Sequence, residues 1–538
     1  MNEILCDASK FRPLNTDLFK CLLSKENKLI AILRKMLKNK SISDSTYKSL
    51  YPSGSQPGVL YGLPKVHKDG VPMRPILSAL NTFNYNLSKY LVPIIEPVTS
   101  SPYSVKDSFH FLKEISDLTV DGCVMASFDV TSLFTSIPLD ETIDLVTSEL
   151  SKVPGFNEES FLGGNFRDLL GLAVKDCVFL FDGKAYIQID GVAMGSPLGP
   201  TLANAFMSIH EQKWLENCPP QFKPLFYRRY IDDTFVVFKS SEHVDKFLSF
   251  INNQHRCISF TCEREVNNSL PFLDILISRK GPQLCTTLYR KPTFTGLGMK
   301  FESCLPLSYK LNLVQTLVHR AYRICSDYLS FHKEIEFLTN YFVNNGYPVG
   351  VVQRMVGKTL TKLLSPEGIP TAESSERIVT GSFEFLGKQS ITFKHKLNRL
   401  VQEYFKNVKV RVAFRAARTL GSSFPYKDQI PWAVRSGVVY QYSCGCCNAS
   451  YIGQTSRHLQ TRMAEHRAVG PTTDRPVTPK YSAIREHSED NQHPIAKDGF
   501  RILGRAVGSD LPILETLYTH VLKPTLTKNV QSVELVTL

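Results

Sequence analysis

The most constraining stretch of the chain is Phe226-Tyr227-Arg228-Arg229-Tyr230-Ile231-Asp232-Asp233-Thr234-Phe235-Val236-Val237-Phe238. Aromatic and β-branched residues on both sides of a polar centre predict a β-hairpin with two acids at its turn. Aspartate is a good turn former, so an isolated pair would carry little weight. Adjacent carboxylates in an apolar frame are expensive to bury, however, unless cations compensate them. About a hundred residues upstream, Val124-Met125-Ala126-Ser127-Phe128-Asp129-Val130 reads as a buried strand with Asp129 at its end. Short strands alternating with helices from residue 61 to about 295 imply an α+β arrangement.

At 538 residues the chain exceeds one ordinary core, so several domains are expected. Residues 1–60 predict a helical extension, with Leu29, Ile30, Ile32, Leu33 and Leu37 at helical spacing among lysines from about Lys25 to Lys40. Ser53-Gly54-Ser55-Gln56-Pro57-Gly58 ends that pattern and leads into an aromatic, basic segment. Residues 296–419 are expected to be mostly helical, carried by Leu311, Leu313, Leu317 and Val318, then Ile335, Phe337 and Leu338. Ser, Pro and Gly mark 420–431 as a linker, followed by a compact domain over 432–538. There is no internal repeat.

No apolar run approaches the roughly 18–20 residues that span a bilayer, and the N-terminus has no signal-peptide pattern. A net charge of +13 points to a polyanionic partner. Of the thirteen cysteines, Cys123, Cys177, Cys257, Cys262 and Cys325 sit singly in apolar surroundings and are expected to be buried free thiols in a reducing compartment. Only Cys444, Cys446 and Cys447 cluster. Cys444 and Cys447, with His487 and His493, make a candidate Cys₂His₂ structural zinc site; unligated thiols are the alternative.

Carboxylates from separate strands suit two-metal phosphoryl transfer, which needs ions about 3.5–4 Å apart. Magnesium fits hard oxygen ligands plus substrate phosphates, with manganese an alternative. The motifs resemble those of reverse transcriptases, in order, from residue 61 to about 295. Asp129-Val-Thr-Ser-Leu-Phe134 resembles the first catalytic motif, which makes Phe134 the steric gate against a ribonucleotide 2′-hydroxyl. Gly191-Val-Ala-Met-Gly195-Ser196-Pro197 resembles the next, a glycine turn that permits close approach to template and nucleotide, with Met194 where glutamine is commoner. Tyr230-Ile-Asp232-Asp233 is the third. Leu63-Pro64-Lys65 and Arg74-Pro75-Ile76 resemble the fingers, whose Lys65 and Arg74 would hold the triphosphate; Lys68 competes for that role. Leu270-Pro-Phe-Leu-Asp274 and Tyr289-Arg-Lys-Pro292 resemble the hairpin that seats the primer end. The following helices would be the thumb, offering Lys310, His319, Arg320 and Arg323 to backbone phosphates.

Gly437-Val-Val-Tyr440, Tyr451-Ile-Gly453, Arg462, Glu465-His466 and Glu515 together resemble the GIY-YIG endonuclease. The resemblance implies a small sheet flanked by helices that cuts DNA with one divalent metal. Tyr440 or Tyr451 would handle the attacking water, Arg462 would stabilise phosphorane charge, and His466 lies one helical turn beyond Arg462 on the same face. Glu515 would bind the metal, and Asn529 matches a polar residue near the scissile phosphate.

A reverse transcriptase followed by such a nuclease resembles Penelope-like retroelement proteins. Tyr61-Gly-Leu-Pro-Lys-Val-His-Lys68, Ser127-Phe-Asp-Val-Thr-Ser-Leu-Phe134 and Asn345-Gly-Tyr-Pro348 carry that likeness. Members usually have a longer N-terminal region with an Asp-Lys-Gly motif, which is not found before Tyr61. The resemblance implies an α+β multidomain fold: a right-hand polymerase, fingers and palm over 61–295 and thumb over 296–419, then the nuclease with its zinc site. It further implies two Mg²⁺ at the polymerase, one at the nuclease, and a structural Zn²⁺. The expected partners are the element's RNA template, target DNA, a DNA primer and deoxynucleoside triphosphates, in the nucleus. The expected chemistry is target-primed reverse transcription after a nick. One rival is telomerase-like extension of existing DNA ends, with the C-terminal domain only binding DNA. The other is a non-enzymatic nucleic-acid-binding protein.

Overall fold

The computed structural model describes residues 1–66, 70–156, 161–365, 377–416, 419, 421, 424, 427–479, 481–506, 508 and 510–527. Lys68, Asn529 and residues 420, 422, 423, 425 and 426 of the expected linker lie outside the described residues.

The first nine strands are β1 (Phe11–Pro13), β2 (Gly58–Pro64), β3 (Met73–Ser78), β4 (Val124–Val130), β5 (Cys177–Phe181), β6 (Lys184–Gln188), β7 (Phe226–Tyr230), β8 (Asp233–Phe238) and β9 (Phe260–Arg264). Then come β10 (Ser269–Phe272), β11 (Ile275–Lys280), β12 (Gln283–Leu288), β13 (Arg377–Phe385) and β14 (Val408–Ala416). The last three are β15 (Val438–Ser443), β16 (Ser450–Thr455) and β17 (Phe500–Arg505).

The central sheet has the order β7-β8-β4-β9. Side chains on a strand alternate between faces, and both faces of this sheet are used. Ala126, Phe128, Val130, Val236 and Phe238 pack against helices that include Leu139–Leu150 and Gly199–Glu216. Met125, Phe235 and Val237 pack the other way, against the Ser108–Ile115 helix and the antiparallel sheet β10-β11-β12. Asp129 follows Met125 by an even step and so shares this second face, beyond the end of its apolar core. A second sheet has the order β1-β6-β5-β2-β3, and its β3 lines the cleft that holds Asp129.

The N-terminal region is not helical throughout, because Phe11–Pro13 pairs with Tyr186–Gln188 as an edge strand. Its long helix, Leu18–Lys38, begins where the Asp17 carboxylate accepts the Lys20 N–H at 2.8 Å. Three helices, Leu307–Ile324, Tyr328–Asn344 and Val349–Leu364, form the expected helical region. The expectation of helix to residue 419 fails beyond Leu364. There β13, the Lys388–Tyr404 helix and β14 form a strand–helix–strand unit with parallel strands. Its strands are rich in Val, Ile, Phe and Thr at alternate positions, a period of two rather than 3.6.

The C-terminal sheet, β16-β15-β17, does not hang on a free tether. Ile430 and Val434 join Phe19, Leu22, Val178 and Ile187 in one apolar cluster. Buried His458 bonds the Ser55 carbonyl at 2.7 Å, and the buried Glu26 carboxylate accepts the Ser55 N–H at 2.6 Å. The five single cysteines expected to be buried are free but only half-buried.

Candidate functional site

Asp129 and Asp233 are direct cross-strand partners between β4 and β8, and the Val130 N–H donates to the Asp232 carbonyl at 2.9 Å. Residues in such a pair have Cβ atoms about 4.5–5.5 Å apart, and like charges there repel. The electrostatics show the strain. Burial first, then Asp232 and Asp129, push the Asp233 carboxyl up to about 7. Asp232 is also raised, by burial and Asp129, against the opposing pull of Arg74 and Lys65. Three acids thus converge where one proton or added cations must relieve them. Ile231, at the hairpin turn, has φ +56°, a left-handed conformation costly for a β-branched residue.

What holds this turn was not anticipated from sequence. Arg229 is fully buried; its Nη1 donates to the Ile231 carbonyl at 2.9 Å and to Asn204 at 3.0 Å. Its Nε meets the buried Glu211 carboxylate at 2.9 Å, and Tyr227 donates its hydroxyl to the same oxygen at 2.5 Å. Glu263 on β9 was also missed; it lines the cleft and adds to the upward shift of Asp233. Only the pairing of Glu263 with Ser127 reveals it, and that pairing is tertiary.

Lys65, Arg74, Phe134, Gly195 and Ser196 line the same cleft as the three aspartates. Gly195 also answers a demand of the fold itself. With φ +125°, a Cβ there would sit 2.2 Å from the Leu77 carbonyl oxygen, so it is β3 that demands glycine. Met194 accepts the Leu77 N–H at 2.8 Å in the same contact. Pro271, Leu273, Tyr289, Lys291 and Pro292 complete the cleft. Of the four helical cations expected to face phosphates, Lys310 is buried and two others reach solvent while engaged by neighbouring side chains. Lys310 donates to the Phe301 carbonyl, Arg320 pairs with Asp274, and Arg323 lies 3.8 Å over the Phe109 ring. His319 is exposed.

Residues 66–264 match the family model described as reverse transcriptase (RNA-dependent DNA polymerase). The chain therefore carries a reverse transcriptase domain. Residues 299–355, just beyond it, match the animal helix-turn-helix domain. No curated protein matches the chain. Among solved structures, apo telomerase of Candida tropicalis truncated from its C-terminal domain aligns at 13% identity and TM-score 0.32, over 43% of this chain and 54% of that one. Telomerase of Candida albicans with a TWJ fragment of telomeric RNA aligns at 12% and 0.36, over 58% and 64%. The Sicinivirus 3Dpol RNA-dependent RNA polymerase aligns at 13% and 0.36, over 59% and 71%. The chain thus spans little more than half the length of the first of these.

Outside the reverse transcriptase domain, β15 and β16 set Tyr440 opposite Gly453 and Tyr442 opposite Tyr451. The buried Tyr440 hydroxyl lies 2.7 Å from His466 Nε2 and accepts Arg462 Nε–H at 3.1 Å. His466 Nδ1 lies 2.7 Å from the Ser482 hydroxyl. Burial first, and then Arg462, press the His466 pKa down to about 3, so its ring is neutral. Arg462 bonds Glu465 at 3.0 Å, and Arg457 grips that carboxylate at 2.6 and 2.9 Å. Glu515 is raised by burial, while Gln454, which donates to it, and nearby Arg462 pull it down. Tyr451 is half-buried where Tyr440 is fully enclosed.

Cys444, Cys447, His487 and His493 offer ligand atoms all within 4.8 Å of one another. The separations are 3.5 Å for Cys444 Sγ to His493 Nδ1, 3.4 Å for Cys447 Sγ to His487 Nε2, and 3.3 Å between the two histidine nitrogens. Tetrahedral zinc with ordinary Zn–S and Zn–N bonds gives S···N and N···N edges of about 3.3–3.6 Å, so the donor set fits the ion. Asn491 Nδ2 lies 3.2 Å from His487 Nδ1 and donates to the His487 carbonyl at 3.0 Å. Cys446 is exposed and outside this group.

Proposed function

We propose that the chain is the RNA-directed DNA polymerase of a Penelope-like retroelement, which nicks target DNA with its C-terminal domain and copies element RNA from the nick, in the nucleus. The observation that carries this is the convergence of Asp129, Asp232 and Asp233, with Asp233 pushed up to about 7, opposite Lys65 and Arg74. Such a cluster suits two Mg²⁺ ions, which would supply an activated primer 3′-hydroxyl and a stabilised pyrophosphate. Lys65 and Arg74 neutralise the triphosphate charge left over, and Phe134 fills the space of a ribose 2′-hydroxyl. Glu211 and Arg229 fix the turn on which the aspartates stand.

In the C-terminal domain, a GIY-YIG nuclease in this proposal, Glu515 would hold one Mg²⁺ and Arg462 meets the charge developing on the scissile phosphate. Tyr440 is engaged by His466 and Arg462, so its hydroxyl braces the site. Tyr451, the more accessible ring, is then the one that handles the attacking water. Cys444, Cys447, His487 and His493 would hold a structural Zn²⁺. Metal analysis of the purified protein is expected to give one zinc per chain, lost in Cys447→Ser; equal zinc in both sinks that assignment.

The deciding experiment is primer extension on an RNA template, wild type against Asp232→Ala. Product from both, or from neither, overturns the polymerase reading. Nicking of supercoiled plasmid, lost in Glu515→Ala, tests the nuclease. Extension without any nicking would instead favour telomerase-like extension of existing ends, with the C-terminal domain only binding DNA.

A further inference from the structure

Parallel sheets are normally covered on both faces, because their crossover helices pack there. The β13–β14 pair breaks that rule. Its register couples Phe383 with Phe414 and Gly381 with Val412. This face is closed by an apolar cluster of Phe383, Phe385, Val410, Val412, Phe414, Leu397 and Tyr309. Tyr309, on the Leu307–Ile324 helix, anchors the unit: its hydroxyl accepts the Phe414 N–H at 2.9 Å and donates to the Phe414 carbonyl at 3.2 Å. The opposite face carries Ile378, Thr380, Ser382 and Glu384 paired with Lys409, Arg411, Ala413 and Arg415. Lys409, Arg411 and Arg415 are all exposed there.

Charge explains why that face is left open. Residues 377–416 hold nine Lys and Arg against Glu384 and Glu403, a net +7 of the chain's +13 within 40 residues. Alternate residues of a strand stand about 6.6 Å apart, so Lys409 and Arg411 form the start of a regular cationic row that Arg415 extends. At the end of the crossover helix, beside the start of β14, Tyr404 is 71% and Phe405 61% exposed. A cationic track with exposed aromatic rings at its end is how single strands are held, through the backbone and by base stacking.

We propose that the strand–helix–strand unit over 377–416 is a separate binding module for single-stranded nucleic acid, whose backbone lies along Lys409, Arg411 and Arg415. No family model that matches the chain reaches this unit. Tyr309 holds it to the helical region that follows the reverse transcriptase domain. The module needs only binding, so it stands whether or not the polymerase reading holds.

The test uses the full chain and fluorescence anisotropy with labelled 20-nucleotide single-stranded RNA, single-stranded DNA and an RNA duplex of equal length. Lys409→Ser, Arg411→Ser and Arg415→Ser combined are expected to weaken single-strand binding by about tenfold or more. The slope of log K against log salt should fall by about 2, since each lost single-strand phosphate contact removes roughly 0.7. A variant with Arg in place of Lys409 alone should keep both values. Tyr404→Ser with Phe405→Ser should weaken binding while leaving the salt slope intact, because stacking is not ionic. Because all these side chains are exposed, an unchanged melting temperature is expected for each variant. Unaltered affinity and slope in the triple variant overturn the proposal, as does a loss confined to the duplex.

Discussion

The acidic cluster of the cleft and the Tyr440–His466 cluster of the C-terminal domain are in opposite electrostatic states. In the cleft, Asp129, Asp232 and Asp233 repel one another, and Asp233 holds its proton up to about 7. In the C-terminal domain, Arg462, Tyr440, His466 and Ser482 form a chain of bonds, and Arg457 and Arg462 share Glu465. The first cluster is incomplete without cations; the second is braced by its own side chains. A charge removed from the first should relieve the fold, whereas one removed from the second should weaken it.

Asp233→Asn gives the largest effect and the sharpest sign test. Extension should fall by on the order of 10³-fold or more, because a carboxylate that two-metal chemistry requires is lost. Metal-free stability should rise instead. Asp233 has a folded pKa raised from 3.8 to about 7. Its stabilising contribution is therefore full below about pH 4 and disappears as pH climbs through about 7. Melting of the metal-free wild type should drop across that window by the equivalent of roughly 1–2 kcal/mol, after allowance for solvent screening. The Asn variant should show a flatter profile and a higher melting temperature at neutral pH. A variant that melts lower than wild type in the absence of metal would break the contrast.

Arg462→Ala should act in the reverse direction on stability. Nicking should fall by about 10²–10³-fold, the range for losing one preorganised donor to developing charge. The fold should also weaken by about 1–2 kcal/mol, since the buried Tyr440 oxygen loses a donor and Glu465 loses one of its two arginines. Thermal melts and plasmid nicking measured on the same preparation check both parts. Lost nicking with a raised melting temperature would mean that this cluster, too, is an unsatisfied one.

The cleft was largely legible in the sequence, because its chemistry sits in contiguous motifs. Asp129, Phe134, Gly195 and the Asp232–Asp233 turn each occupy a short, patterned stretch, and Lys65 and Arg74 flank a turn of their own. Legibility ended where function depends on partners distant in sequence. Arg229 looked like one more hairpin residue, and only the packing of the Gly199–Glu216 helix beneath it makes it a buried strut. Glu263 reaches the cleft through its register with Ser127. Lys310 was illegible for the same reason: it carries the right charge, but the fold buries it against the Phe301 carbonyl. Beyond Leu364 the apolar residues of β14 recur with a period of two, a signal carried by the sequence itself. In the C-terminal domain the spacing that brings Cys444, Cys447, His487 and His493 together was readable, whereas the Tyr440–His466–Ser482 chain required the fold.

The smallest expected effect concerns whether the two clusters belong to one body. His458 is buried, with Phe19 edge-on to its ring at 5.4 Å and the Ser55 carbonyl 2.7 Å from Nε2. Ser55 is gripped from the other side by Glu26. This contact ties the N-terminal helix to the C-terminal domain, and the Ile430 and Val434 side chains add an apolar seal beside it. His458→Ala would leave the buried Ser55 carbonyl without its donor, at about 1–2 kcal/mol. In the wild type, one cooperative melting transition is expected, and cations added for the cleft should raise the temperature at which the C-terminal domain unfolds as well. In the variant the transition should broaden or split, and Mg²⁺ should no longer protect the C-terminal part. Two separate transitions in the wild type would show that the contact carries no coupling, and the contrast between the clusters would then describe two independent domains that happen to share a chain.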